Sequence, residues 1–231
     1  AAQSNLAVLN LKGRGVEQDL ERARHWFAKA AEGDVALAQR VLGQMLEEGM
    51  GGEVDEVAAA AWLERAAATG DPEAQTRYGL MLLEGRGVAQ DARAAATWFD
   101  RAAEEGSADA QFLLGWMYFT GTGVEQDDQA ALTWLAAAAG SGGALAQTSM
   151  ARACLRRSTE RFDESSVEAA QWMQLAANQG LAIAQYDRGL MYVRGQGVVR
   201  SRSEGIRWIT RAAAQGLPEA LAKLDVLGER L

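Results

Sequence analysis

EGRGVAQD occupies residues 84–91, with two glycines flanking Arg86 and an acid, Asp91, closing the stretch. A Gly-x-Gly loop can fold its backbone N–H groups around a phosphate when it follows a strand and opens a helix. Its surroundings decide whether it does so here, and those surroundings repeat. The pattern returns as KGRGVEQD (12–19), EGMGGEVD (48–55), TGTGVEQD (120–127) and RGQGVVRS (194–201). The spacing is 36 residues, except that the last copy lies 74 beyond the fourth. The gap holds a degenerate copy, RRSTERFDESS (156–166), with two extra residues. A loop that recurs about six times with no strand pattern before it is a turn, not a phosphate cradle.

The flanks read as helices. In AQTRYGLMLLEG (74–85) the apolar positions, Tyr78 and Leu82 among them, fall at three- and four-residue spacing. The glycine that follows suits a helix C-cap, where left-handed geometry carries no Cβ penalty. The acid that ends the loop suits the next N-cap: Asp19, Asp55, Asp91, Asp127 and Asp163, with Ser201 in the same role. Pro72 and Pro218 stand where a first helix begins, a position that needs no N–H.

The rest of the unit repeats as well. Ala-Gln opens it at residues 2, 38, 74, 110, 146 and 184. A tryptophan followed by an Ala-Ala pair closes it at Trp26, Trp62, Trp98, Trp134, Trp172 and Trp208. Small residues in the first helix (Gly43, Gly79, Gly115 and Gly189, with Ala7 and Ala151 substituting) let helices approach, and the tryptophans are expected to wedge between them. One such hairpin cannot bury its own apolar face, but stacked hairpins can. The expected fold is therefore all-α: six helix-turn-helix repeats over 2–37, 38–73, 74–109, 110–145, 146–183 and 184–219, then a capping helix over 220–231, forming one solenoid domain across 1–231.

This pattern resembles Sel1-like repeats, relatives of the tetratricopeptide repeat, and AQFLLGWMYFTGTGVEQDDQAALTWLAAAA (110–139) matches it nearly throughout. The resemblance implies an α/α solenoid with a concave binding surface and a role as adaptor or interaction scaffold. Repeat five departs from the pattern, with Arg157 and Thr159 in place of both turn glycines, and repeat six places Arg188 where a core Leu belongs.

Bulk properties narrow the functions. A net charge of −8 disfavours nucleic acid, which selects a basic surface. No apolar run approaches the length of a membrane span, so no membrane insertion is expected. Cys154 is the single cysteine and His25 the single histidine, which excludes a disulfide within the chain and any His or Cys metal cluster. No motif of nucleophilic, zinc or phosphate chemistry is present, so neither a cofactor nor catalysis is expected. The start at Ala1 without a methionine favours a processed, periplasmic chain over a cytoplasmic one.

The tetratricopeptide resemblance implies that positions two, six, nine and ten after the opening Ala face the inner surface. On these fall Phe112, Trp116 and Phe119, spaced i, i+4 and i+7 on one helix stripe. Leu80, Leu83 and Leu155 come from neighbouring repeats, and Tyr186 and Leu190 from repeat six. Clustered aromatics mark binding hot spots. Around them the charge is polarised, with Glu47, Glu48 and Glu84 toward one side and Arg152, Arg156 and Arg194 toward the other, which would orient a dipolar partner. The expected function is a non-enzymatic scaffold holding a protein or peptide, as a monomer or in a heterocomplex. It could serve as a bacterial adaptor in the envelope or in secretion, or as an immunity protein against a secreted toxin. The alternatives are a structural component of an envelope assembly and a ligand-binding or hydrolytic protein.

Overall fold

The computed structural model describes residues 2–228, which form thirteen helices and no strand. The first (A) helices of the repeats are α1 (Ala2–Lys12), α3 (Ala36–Glu48), α5 (Pro72–Glu84), α7 (Ala108–Thr120), α9 (Ala144–Arg157) and α11 (Ala182–Arg194). The second (B) helices are α2 (Leu20–Glu32), α4 (Glu56–Ala68), α6 (Ala92–Glu104), α8 (Asp128–Gly140), α10 (Glu164–Asn178) and α12 (Arg202–Ala213). A final helix, α13 (Pro218–Leu227), caps the last pair, and residues 229–231 of the expected cap lie outside the described residues. Consecutive helices pack in pairs, giving the solenoid-like helical-repeat fold expected. Contacts divide the chain into two units: Ala1–Met117 with Gly121–Glu125, and Tyr118–Thr120 with Gln126–Leu231.

The turns do what their residues predict. Asp19, Asp55, Asp91, Asp127, Asp163 and Ser201 are N-caps whose side chains accept a backbone N–H from the first turn, Asp91 from Ala94 at 2.9 Å. This satisfies donors that a helix start leaves without partners. Gly85 ends α5 in the left-handed region (φ 72°) and returns its N–H to Met81.

The second loop glycine has a different task. A Cβ on Gly51, Gly87 or Gly123 would stand 2.2, 2.0 or 2.4 Å from the carbonyl oxygen of Leu20, Glu56 or Ala92, each the first residue of the preceding repeat's B helix. In the second unit Gly197 meets the Ser166 carbonyl in the same way, at 1.9 Å. The Gly-x-Gly motif thus caps one helix and seats the loop against the repeat before it.

The core differs from expectation in one respect. The tryptophans do not wedge between helices: Trp26, Trp62, Trp98, Trp134 and Trp172 are half-buried, and only Trp208 is buried. The residue after each one fills the hairpin instead: Phe27, Leu63, Phe99, Leu135, Met173 and Ile209, none more than 1% exposed. The helix-A glycines make room for these side chains, since a Cβ on Gly43, Gly79 or Gly189 would reach Leu63, Phe99 or Ile209 at 2.7, 2.6 or 2.5 Å. Three of the displaced rings carry a cation three residues on: Lys29 over Trp26 at 5.0 Å, Arg65 over Trp62 at 4.7 Å and Arg101 over Trp98 at 4.8 Å. Met45, Met81, Met117 and Met191, seven after the opening Ala, complete the core.

The Ala-Gln dipeptide also has a role. Gln39, Gln75 and Gln111 in the first unit and Gln185 in the second donate to the carbonyls of Ala31, Ala67, Ala103 and Ala177 at 3.2–3.3 Å. Each accepting alanine is the second of an Ala-Ala pair, at the end of the preceding B helix, where carbonyls lack helical partners.

Repeat five keeps its order without turn glycines. The Asp163 carboxylate accepts from Ser158 Oγ, from the N–H groups of Thr159 and Glu160, and from the Ser166 N–H, at 2.9, 2.8, 3.2 and 2.8 Å. Ser166 returns the favour by accepting the Asp163 N–H, which completes a capping box. The degenerate copy at 156–166 is therefore only partly loop, because α10 begins at Glu164.

Candidate protein-interaction surface

The candidate residues fall in both units and are taken unit by unit. In the first, Phe112 is half-buried and Trp116, one turn later on α7, is 38% exposed. Leu114 and Met117 on the same helix are buried, so α7 turns one face to the core and carries Trp116 beside it. Leu80 and Leu83 on α5 are half-buried.

The charges of this unit are not an open acidic end. Glu47 receives Arg77 Nη1 at 3.2 Å and Arg86 Nη2 at 2.8 Å. Glu48 pairs with Arg77 at 3.6 Å, and Glu84 with Arg86 at 2.6 Å. Arg40, on a candidate inner position, reaches Asp71 at 3.0 Å and Glu73 at 2.5 Å. Glu47 and Glu48 are therefore stapled by arginines of the next repeat, and Glu84 by Arg86 two residues on. Arg86 is the residue between the two glycines of EGRGVAQD, so even the variable position of that loop binds the neighbouring repeat. The sequence signal was present in the charges at Arg77 and Arg86, but both lie off the four positions taken as inward-facing.

In the second unit the basic side is likewise compensated. Arg152 pairs with Asp187 at 2.7 Å. Burial raises the Asp187 carboxyl above its ordinary value, although Arg152 and then Arg194 draw it down. Arg156 pairs with Asp128, donates to the Phe119 carbonyl at 2.6 Å, and lies 3.5 Å above the Phe119 ring. Asp128 is the first residue of α8, the position that a loop glycine seats against in other repeats, so Arg156 makes the stitch that repeat five's missing glycines cannot. Phe119 is half-buried beneath it and Leu155 is half-buried on α9, while Arg194 is exposed. Tyr186 and Leu190 pack against the cluster of Ile209, Ala212, Ala213, Ala220 and Leu224. Ala220 and Leu224 of that cluster belong to α13, so both residues are drawn into contacts with the helix after repeat six.

Among the described residues no group of three or more His, Cys, Asp or Glu side chains could hold a metal ion. None of the described helices is long and apolar enough to cross a membrane. Cys154 is buried, and burial, then the Glu168 carboxylate, pushes its thiol up to about 12, far from the thiolate that nucleophilic chemistry needs.

These features define an α-helical repeat scaffold with half-open A-helix faces, of the kind typical of protein–protein interaction. The Sel1 repeat family model matches residues 1–35, 36–71, 72–107, 108–143, 144–181 and 182–217, and the chain belongs to that family. Its fold is similar to that of c5321, a protective antigen present in uropathogenic Escherichia coli strains. That match has 31% identity and a TM-score of 0.86, covering 98% of this chain and 48% of the other. A Sel1 repeat protein from Oxalobacter formigenes is 35% identical, with a TM-score of 0.78 over 97% of this chain and 64% of its own. The immunity protein PA5088 from Pseudomonas aeruginosa shares the fold at 19% identity and a TM-score of 0.52, over 93% of this chain and 80% of its own. The chain thus spans about half the length of c5321 and under two thirds of the Oxalobacter protein.

Proposed function

We propose that this protein is a non-enzymatic scaffold that binds another protein or a peptide on its A-helix faces, with Trp116 as the anchor. The observation that carries this is a contrast within the first unit. Its charged candidates already hold arginine partners, and Trp116 is 38% exposed beside a half-buried Phe112. Paired rim charges contribute little to affinity, and a partly exposed tryptophan on a rigid helix contributes much. Orientation of the partner then rests on shape around the ring, not on an acid-to-base gradient. A narrower form of this reading makes the partner a secreted toxin and the scaffold its immunity protein, which requires one partner held tightly.

The test is affinity capture from the source organism with wild type and Trp116→Glu, after circular dichroism shows equal helicity. Partners held by wild type and lost by the variant support the reading. Equal capture removes Trp116 from the interface. A single stoichiometric partner favours the immunity form, and several weak ones a general adaptor.

A further inference from the structure

Position four after the opening Ala is a core plug. It is Leu42, Tyr78, Leu114 and Met150 in repeats two to five, all buried. In repeat six it is Arg188, which is only 6% exposed. A guanidinium is always protonated and carries five donors. Here Nε–H donates to Gln174 Oε1 at 3.1 Å, Nη1 to the Ala170 carbonyl at 2.9 Å and Nη2 to the Tyr192 hydroxyl at 3.3 Å. The Tyr192 ring lies 4.7 Å from Cζ. All these partners are neutral, and no carboxylate pairs with Arg188 among the described residues. Two donors are left over, and the buried charge has no counter-ion. Burying a cation in this way is costly unless an anion compensates it.

Arg188 also lines an open groove of about 450 Å³ between α10 and the loop after α11, wholly within the second unit. Its other walls include Val167, Ala170, Gln174, Leu175 and Val198. Mostly apolar walls with a few convergent polar groups (Gln171, Gln174 and Arg188), at a volume within the small-molecule range, describe a ligand site. We infer that this groove binds a small monocarboxylate with an apolar tail, its carboxylate on Arg188 and its tail on Val167, Leu175 and Val198. The charge selects an anion, and the guanidinium fork matches a carboxylate in particular. The volume suits a small acid. This site does not include Trp116, and it does not depend on the protein-binding proposal.

Isothermal titration of the full chain with hexanoate, and with its neutral isostere hexanamide, tests it. Hexanoate is expected to bind saturably, and hexanamide at least about tenfold more weakly, because a charge-assisted hydrogen bond is lost. Arg188→Leu installs the side chain that stands at this position in repeats two and four, so the fold is retained. It should weaken hexanoate by at least about tenfold too. Equal affinity for acid and amide, unchanged hexanoate binding in the leucine variant, or no saturable heat at millimolar hexanoate would each overturn the assignment. A peptide with a free C-terminal leucine that binds more tightly than hexanoate would also overturn it, in favour of a chain terminus. The acid-against-amide comparison uses wild type alone and stands even if the variant is impaired.

Discussion

The α-carbon of Gly87 rests against the carbonyl oxygen of Glu56, so closely that a Cβ would lie 2.0 Å from that oxygen. Gly106 has a similar backbone, with φ at +87° against +67°, yet nothing lies within 4 Å of its would-be Cβ. The two positions separate backbone strain from contact between repeats. Gly106→Ala should cost only the left-handed penalty, about 1 kcal/mol. Gly87→Ala adds a backbone clash that the loop can relieve only by leaving the B helix of repeat two, and should cost about 2–4 kcal/mol. Urea unfolding of both variants checks the difference, and equal losses would mean that the loop does not tie the repeats together.

Arg188 allows the cost of a buried cation to be read directly. Arg188→Ala leaves a cavity and removes the donors of Gln174, Ala170 and Tyr192, so it should destabilise by about 1–3 kcal/mol. Arg188→Leu strips the same acceptors of their donor, but it fills the space and removes the charge that must be desolvated, so it should be less destabilising than the alanine variant by about 1–3 kcal/mol. A smaller loss for leucine than for alanine is the expected outcome in chemical denaturation. A leucine variant as damaged as the alanine variant would show that the guanidinium's hydrogen bonds outweigh its burial.

Asp163 gives the chain a distinct acid response. The Ser166 N–H, working against burial, and then Ser158, Thr159 and Glu160 hold its carboxyl well below the usual carboxylate range. A depressed native value means that the unfolded chain takes up the proton first, at about pH 4. The stability it supplies is therefore fully present above about pH 4 and is lost as the pH falls toward the native value. Melting temperatures of wild type and Asp163→Asn should differ by a constant amount at higher pH, and the gap should close below about pH 4. A gap that stays constant at lower pH would show that the carboxylate's charge is not what organises the loop.

The spacing of the glycines and caps made the helices, their turns and their stacking legible, because each is a local backbone requirement that only a few residue types meet. Side-chain destinations were less so. A repeated Trp marks a constrained position, but the period cannot say whether the ring or its neighbour enters the hairpin. Phe27, Leu63, Leu135 and Ile209 vary in kind and so left no motif. Glu47 and Glu48 read as open charge because Arg77 and Arg86 belong to the next repeat and meet them only after stacking, whereas the pairing of Glu84 with Arg86, two residues on, was within reach of the sequence. Trp116 and Phe112 were legible as a stripe, since their spacing on α7 needs no knowledge of tertiary contacts. Tyr186 and Leu190 read as surface for the converse reason: their contacts with α12 and α13 form only on stacking.

A last prediction transfers a contact between repeats. In repeats five and six the glutamine after the B helix, Gln179 or Gln215, donates to the opening glutamine's Oε1, reaching Gln147 at 2.9 Å and Gln185 at 2.8 Å. Each also donates to a loop carbonyl, Gly142 or Gly180. Gln75, the opening glutamine of repeat three, donates to Ala67, but its Oε1 is buried without a partner. Gln215 stands 30 residues after Gln185, and the residue 30 after Gln75 is Glu105. A carboxylate at that position has no N–H to give. Glu105→Gln would supply one, satisfying Gln75 Oε1 and the Gly70 carbonyl as Gln215 does for Gln185 and Gly180. A buried acceptor that gains its hydrogen bond should stabilise the first unit by about 0.5–1.5 kcal/mol. Glu105→Ala removes the same charge without adding a donor, so it should capture none of that gain in urea unfolding. If the two variants are equally stable, the effect belongs to charge and the glutamine ladder of repeats five and six does not transfer.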